Sequence, residues 1–287
     1  AQPFFFQQKK IMQKLIPHLF LTLLLGLLAN SNIKIIKNTL IRIFIAIYKP
    51  NTEEAIYSDI NKYSSYNDFF TRRLRTGSRN IDESEKVFIS PVDGEIVDHG
   101  SINDGQLIQA KKYKYDLASL VGNDHKDKFK RGYFITIYLA PTDYHRIHCP
   151  FDGQISDSLH LGSSLYSVNK QAQRSIPRLY IKNERSVLHI SSQKFKYTLV
   201  SVGASVVGSI APYWNTSEKP SRKELIKDWQ EGPNEKRIIK KGDELAHFRM
   251  GSTVILIFED SDNLDLDSLK ENKLVKFGSK LVSLKNT

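Results

Sequence analysis

Three short stretches hold side chains that can move protons or make covalent bonds. The first is Asp143-Tyr144-His145-Arg146-Ile147-His148-Cys149-Pro150, with two imidazoles three residues apart and a carboxylate just before them. Histidine is the side chain whose proton moves near neutral pH, so the pair suits acid–base chemistry. His-x-x-His can also hold a metal, but two ligands do not complete a site and Cys149 is a doubtful third. The second is Ser90-Pro91-Val92-Asp93-Gly94-Glu95-Ile96. An aspartate between proline and glycine, taken alone, reads as a turn. The third is Phe248-Arg249-Met250-Gly251-Ser252-Thr253, running into Val254-Ile255-Leu256-Ile257-Phe258. A Gly-Ser pair that opens an apolar strand also reads, alone, as a turn.

The elements that must position these residues are mostly strands. From residue 87 onward the chain runs VFISP, GEIVDHG, QLIQA, YFITIYLA, VLHIS, YTLVSVGASVVGSI and STVILIFE, separated by Gly, Asn, Asp and Pro. Such runs at short spacing predict an α+β fold with a mostly-β core, barrel-like or sandwich. Residues 64–75 predict a short helix capped by Ser65 or Asn67, with Phe69 and Phe70 buried. Residues 215–242 are polar, carry two prolines, and read as a long surface excursion. No internal repeat of fixed period is present.

Composition sets the outer bounds. The 287 residues are 40 % hydrophobic and 25 % charged, which is globular rather than disordered. The formal net charge of +11 points to an anionic partner, though a chain rich in Lys, Ile and Asn carries part of that excess through composition alone. One cysteine, Cys149, excludes an intrachain disulfide, suits a reducing compartment, and reads as a small buried residue rather than a nucleophile. From Met12 the text has signal-peptide features: Lys14, an apolar run over residues 19–28, then Ala29-Asn30-Ser31. The following stretch argues against secretion. Residues 33–49 place Ile33, Ile36, Leu40, Phe44 and Ile47 at helical spacing among Lys34, Lys37, Arg42 and Lys49. That predicts a basic amphipathic helix lying on an anionic membrane. Packing of both helices into a core is the alternative. The expected organisation is a membrane-associating segment over 1–57 and a β-rich domain over 58–287.

PVDG, then DYHRIHCP fifty residues on, then GST near the C-terminus, together resemble the phosphatidylserine decarboxylase family, in its bacterial and mitochondrial type. YNDFFTRRLR, SSLYSVN, NER at 183–185 and VGASVVGSI add to the likeness, which covers residues 12 to 282. Two departures are small: Met250 stands where leucine is usual, and Leu161 where proline is common. The resemblance implies self-cleavage between Gly251 and Ser252, giving chains 1–251 and 252–287 that stay associated. It assigns Ser252 as nucleophile, His148 as its base and Asp93 as the orienting carboxylate, like a protease triad. It implies a covalent pyruvoyl cofactor derived from Ser252, which would form a Schiff base with the amine of phosphatidylserine and yield phosphatidylethanolamine and CO2. His145, with Asp143 beside it, is the candidate proton donor. Leu165, Tyr166 and Val168 are candidates to line the path of the lipid. The implied partner is phosphatidylserine in an anionic membrane, with no nucleic acid and no metal. A homodimer is left open, and the implied location is peripheral, on the cytoplasmic side of the cell membrane.

Two other readings compete. A zinc peptidase on a duplicated β-barrel would use His145 and His148, but needs a further ligand, and His99, His160 and His189 stand in no evident motif. A non-catalytic lipid-binding protein explains the N-terminus and the charge but leaves all three stretches without a role.

Overall fold

The computed structural model describes residues 26–109, 113–122, 129, 132–162, 164–193, 195–204, 210–212, 225–227, 238–249, 252–267, 269–270 and 273–285. Most of the apolar run 19–28, most of the polar stretch 215–242, and Gly251 lie outside those residues.

Helix α1 spans Lys34–Tyr48 and ends where Lys49 takes a left-handed conformation (φ 49°), with Pro50 following. Its inward side is not the one expected. Lys37, Ile41 and Phe44 turn inward, while Ile33, Ile35, Ile43 and Ile47 are exposed. Lys37 does not face outward: its ammonium donates to the carbonyls of Asn61 and Tyr63. Its aliphatic stem packs while its charge is met by backbone oxygens, so a lysine can sit on the buried side. Phe44 packs against Tyr66, Phe69 and Phe70. The latter three belong to α2, Tyr66–Phe70, which is capped by Ser65 as its sequence predicts but is shorter than expected. No helix among the described residues is long and apolar enough to cross a membrane.

The rest is mostly β. The main sheet contains β2 (Gly94–Ser101), β5 (Tyr133–Leu139), β7 (Gly153–Leu161), β8 (Arg185–Ser191), β9 (Lys196–Gly203), β11 (Leu225–Lys227), β12 (Ile238–Ile239), β14 (Ser252–Phe258) and β16 (Leu274–Val275). Its order is β11-β7-β8-β9-β14-β5-β2-β16, with β12 also on β7. Among the described residues it does not close, so the barrel-like expectation gives way to an open antiparallel sheet. Strand β14 lies in its interior and is buried along its whole length, paired with β5 on one side and β9 on the other. That accounts for STVILIFE being apolar throughout rather than alternating: both faces are covered. Val254, Leu256 and Phe258 join one core and Ile255 and Ile257 the other.

Two smaller sheets share the first of these cores: β1 (Val87–Ile89), β17 (Lys280–Leu284) and β15 (Leu264–Asp265), and β10 (Ile210–Pro212), β13 (Glu244–Phe248) and β6 (Arg146–His148). The second core is covered by the hairpin β3 (Gln106–Gln109) and β4 (Tyr113–Asp116), and by the short helices α3 (Leu117–Val121), α4 (Lys170–Ser175) and α5 (Leu179–Lys182).

Candidate active site

Ser252 is the first residue of β14. Its backbone faces Leu139 on β5 and Gly203 on β9, and it is fully buried. Among the described residues its hydroxyl has no hydrogen-bond partner, as is also true of the Thr253 hydroxyl beside it. Buried hydroxyls without a partner are uncommon.

Beyond Leu139 the chain turns, with the Asp143 carboxylate accepting the Ala140 N–H at 2.7 Å, and then enters β6. This turn delivers His145. The imidazole is fully buried and its Nδ1–H donates to the Asp143 carbonyl at 2.8 Å, leaving Nε2 as a bare acceptor with no partner. The Phe70 ring lies 4.1 Å from it. Burial, helped by the charge of Arg72, pushes the His145 pKa down to about 3, so the ring is neutral at physiological pH.

His148 ends β6. Its Nδ1–H donates to the Gly242 carbonyl at 2.7 Å, and its Nε2 accepts the Tyr144 hydroxyl at 2.9 Å. Burial pushes it down to about 4, with Arg146 contributing. Phe277 stacks flat on its other side. Asp93 sits in the turn before β2. The glycine after it is required there: a side chain at Gly94 would place its Cβ 2.5 Å from the Tyr138 carbonyl. Asp93 is held by Arg79 at 2.6 Å and by the Phe277 N–H at 2.8 Å.

Ser252 opens β14 opposite Leu139, Asp93 precedes the strand that pairs with Tyr138, and His145 and His148 lie on the segment that follows β5, but the groups are held in an unexpected way. Among the described residues Asp93 and His148 share no hydrogen bond. Phe277 touches both, and backbone carbonyls, not a carboxylate, orient the two imidazoles. Asp143 contributes its carbonyl to His145, and its own carboxyl is pushed up by burial to about 6. Cys149 is buried, donates to the Phe151 carbonyl, and has its thiol pushed up to about 12, which makes it inert.

The segment 164–168 lies on the β9 side. Leu165 packs beside Gly203, the residue opposite Ser252. Tyr166 is half-exposed, and Val168 is buried in the second core rather than facing a path. Asn183 stitches this segment down: its side chain bonds both the N–H and the carbonyl of Tyr166, and the carbonyl of Gly203. Leu161 is the last residue of β7, and Gly162 turns the chain with φ 75°.

Sequence reasoning assigned no role to Arg79, Tyr144, Phe277 or Asn183. Asn183 stood in the NER stretch and Tyr144 in the histidine stretch, so both were visible without a role. Among the described residues no group of three or more His, Cys, Asp or Glu could hold a metal, so the zinc peptidase reading lacks its ligands.

The comparisons agree with one another. A family model described as phosphatidylserine decarboxylase matches residues 66–283, and one described as PSD matches residues 9–49. The phosphatidylserine decarboxylase proenzyme of Dechloromonas aromatica is 40 % identical over 248 residues, covering 86 % of this chain and 87 % of that one. The proenzyme of Nitrosospira multiformis is 36 % identical over 275 residues, 94 % of each chain. That of Shewanella amazonensis is 35 % identical over 285 residues, 97 % of this chain and 99 % of its own. With these matches, and with a buried serine at the head of β14 where the Gly-Ser-Thr stretch places it, this chain belongs to the phosphatidylserine decarboxylase family.

Proposed function

We propose that this chain is a proenzyme that cuts itself between Gly251 and Ser252 and then converts phosphatidylserine to phosphatidylethanolamine and CO2. The observation that carries the reading is Ser252: a buried, unpartnered hydroxyl on the first residue of the strand that β5 and β9 hold along its full length. A cut just before it creates a new terminus while Thr253 to Phe258 keep their pairing with β5 and β9.

Maturation uses the chain's own atoms. Ser252 Oγ attacks the Gly251 carbonyl carbon, a neutral imidazole takes the hydroxyl proton, and the amide nitrogen is protonated as the bond to it breaks. The resulting ester gives up the α-proton of residue 252 to a base and expels the Gly251 carboxylate by β-elimination. The dehydroalanine left at 252 takes up water and releases ammonia, which leaves a pyruvoyl group. Ser252 fits this origin, since its side chain is committed to nothing else. The pyruvoyl ketone supplies the electron sink for decarboxylation.

The triad reading gives the base role to His148 and Asp93. In the geometry above, His148 can act only after the Tyr144 hydroxyl leaves its Nε2, whereas the Nε2 of His145 is already open. His145 also serves as the proton donor for turnover once its Nε2 has taken up a proton.

At the membrane, the exposed Ile35, Ile43 and Ile47 of α1 stand among Lys34, Arg42 and Lys49. This supports peripheral attachment to an anionic bilayer on the cytoplasmic side.

Mass spectrometry of the purified protein tests the reading. A C-terminal fragment beginning at residue 252 with a pyruvoyl terminus, and CO2 release from phosphatidylserine, are expected. Ser252→Ala should stay whole and inactive, and Ser252→Cys should cut slowly. Cleavage after Gly251 in Ser252→Ala would sink the serine mechanism.

A further inference from the structure

Arg72 follows Thr71, the C-cap of α2, and is only 3 % exposed. Its Nη2 donates to the Thr142 carbonyl at 3.1 Å, and the Phe69 ring lies against the guanidinium. Among the described residues Nε and Nη1 have no acceptor. The aspartates whose charge it feels, Asp93 and Asp143, are committed elsewhere: Asp93 to Arg79 and the Phe277 N–H, Asp143 to the Ala140 N–H. Among the described residues no carboxylate touches it. A guanidinium stays charged in a protein. A buried charge with unmet donors is costly, and an anionic ligand relieves that cost.

Its place is specific. Thr142 belongs to the turn that follows Leu139, whose backbone faces Ser252. Phe70, two residues before Arg72, lies on His145, and the charge of Arg72 reaches that imidazole. The cation is thus fixed to the turn that leads from the strand facing Ser252 to His145.

We infer that Arg72 is the subsite for the phosphodiester of the lipid headgroup, an inference that rests on the decarboxylase reading. Phosphatidylserine carries two anionic groups near its amine. The carboxylate sheds its charge as CO2 leaves, so a guanidinium gripping it would stabilise the ground state more than the transition state. The phosphodiester keeps its charge throughout and lies only a few bonds from the amine. Binding energy placed there holds the headgroup in position without opposing the reaction. The guanidinium is also the side chain best shaped for phosphate oxygens.

The test uses a short-chain phosphatidylethanolamine, which keeps the phosphodiester and lacks the carboxylate. Its binding to self-cleaved full-length protein is measured by calorimetry, beside turnover of short-chain phosphatidylserine. Arg72→Gln is expected to weaken that binding and to raise KM by about 10- to 100-fold, the range of a charge-assisted hydrogen bond, with a much smaller change in kcat. Arg72→Lys should fall between, and it carries the comparison if Arg72→Gln does not fold. Unchanged phosphatidylethanolamine binding in a cleaved Arg72 variant overturns the subsite, even with a raised KM, since that pattern places the cation on the carboxylate. Absence of binding by the wild-type protein overturns it too. If the wild-type protein binds, the variant does not, and neither releases CO2 from phosphatidylserine, the subsite stands and the decarboxylase reading fails.

Discussion

The ring of Phe277 lies on the imidazole of His148, 3.7 Å between ring centres and 16° from parallel. The N–H of the same residue donates to Asp93 at 2.8 Å. Phe277 belongs to the segment after the proposed cut, and the two groups it seats belong to the segment before it. Phe277→Ala should therefore destabilise the chain by about 3–5 kcal/mol, as for other buried aromatic truncations, and slow self-cleavage as well. Phe277→Leu keeps the N–H and much of the volume and should do less. Denaturant unfolding in a Ser252→Ala background measures the first effect on a single chain. A Phe277→Ala protein of unchanged stability and cleavage rate would show that the stack is incidental.

Tyr144 separates the two histidines. If His148 is the base, removing the hydroxyl that caps its Nε2 should speed cleavage, so Tyr144→Phe should mature faster. His148→Ala and Asp93→Asn should then block maturation, while His145→Ala should still cut and lose turnover. If His145 takes the Ser252 proton, Tyr144→Phe leaves the rate unchanged and His145→Ala is the uncut variant. A time course on denaturing gels distinguishes the two sets.

Acid should destabilise the fold. Burial lowers His145 to about 3, and His148 and His247 to about 4. In the unfolded chain these rings bind protons below about 6.5. The unfolded state then holds more protons, and stability is lost as pH falls from about 6.5 toward 4. Asp143 works in the opposite sense, because its folded value is raised to about 6 and it favours the protonated native form as pH falls. Three rings outweigh one carboxyl, so the melting temperature should drop between pH 7 and 4.5. A flat profile would mean that the imidazoles are more solvated than the packing shows.

Vesicle sedimentation tests the outer face of α1. Binding to anionic vesicles should be released only partly by salt, because the cations contribute about 1 kcal/mol each and are screened while the isoleucines are not. Paired substitution of Ile43 and Ile47 by Asn should lower the salt-resistant fraction without affecting cleavage. Lys37 should contribute nothing to this binding, since its charge is spent on Asn61 and Tyr63. Full binding by the paired variant would place the attachment elsewhere.

The strands were legible because β-branched and aromatic runs broken by glycine and proline leave few alternatives. The edges of the main sheet were not, since whether a sheet closes depends on strand order and not on any one strand. On α1 the spacing revealed a helix but misjudged its seat, because a lysine with its charge met by carbonyls reads as polar in sequence and behaves as buried in the fold. At the site, the three stretches pointed to one chemistry only when taken together. The Phe277 N–H that holds Asp93 stands 184 residues away from it, and such a contact leaves no local pattern. Arg72 was in view within YNDFFTRRLR, but the unmet donors at its Nε and Nη1 are a property of packing alone.

The interior position of β14 bears on what happens after the cut. While the chain is whole, unfolding is a unimolecular event that can reverse. Once it is severed before Ser252, the central strand belongs to a separate short polypeptide whose pairings with β5 and β9 are all intermolecular. Recovery from denaturation then requires two molecules to meet, and it slows with dilution. A protein cut at the proposed site would persist through its barrier to unfolding and not through reversible equilibrium, so the cleavage proposed to create its reactive terminus would also make its stability a matter of rate.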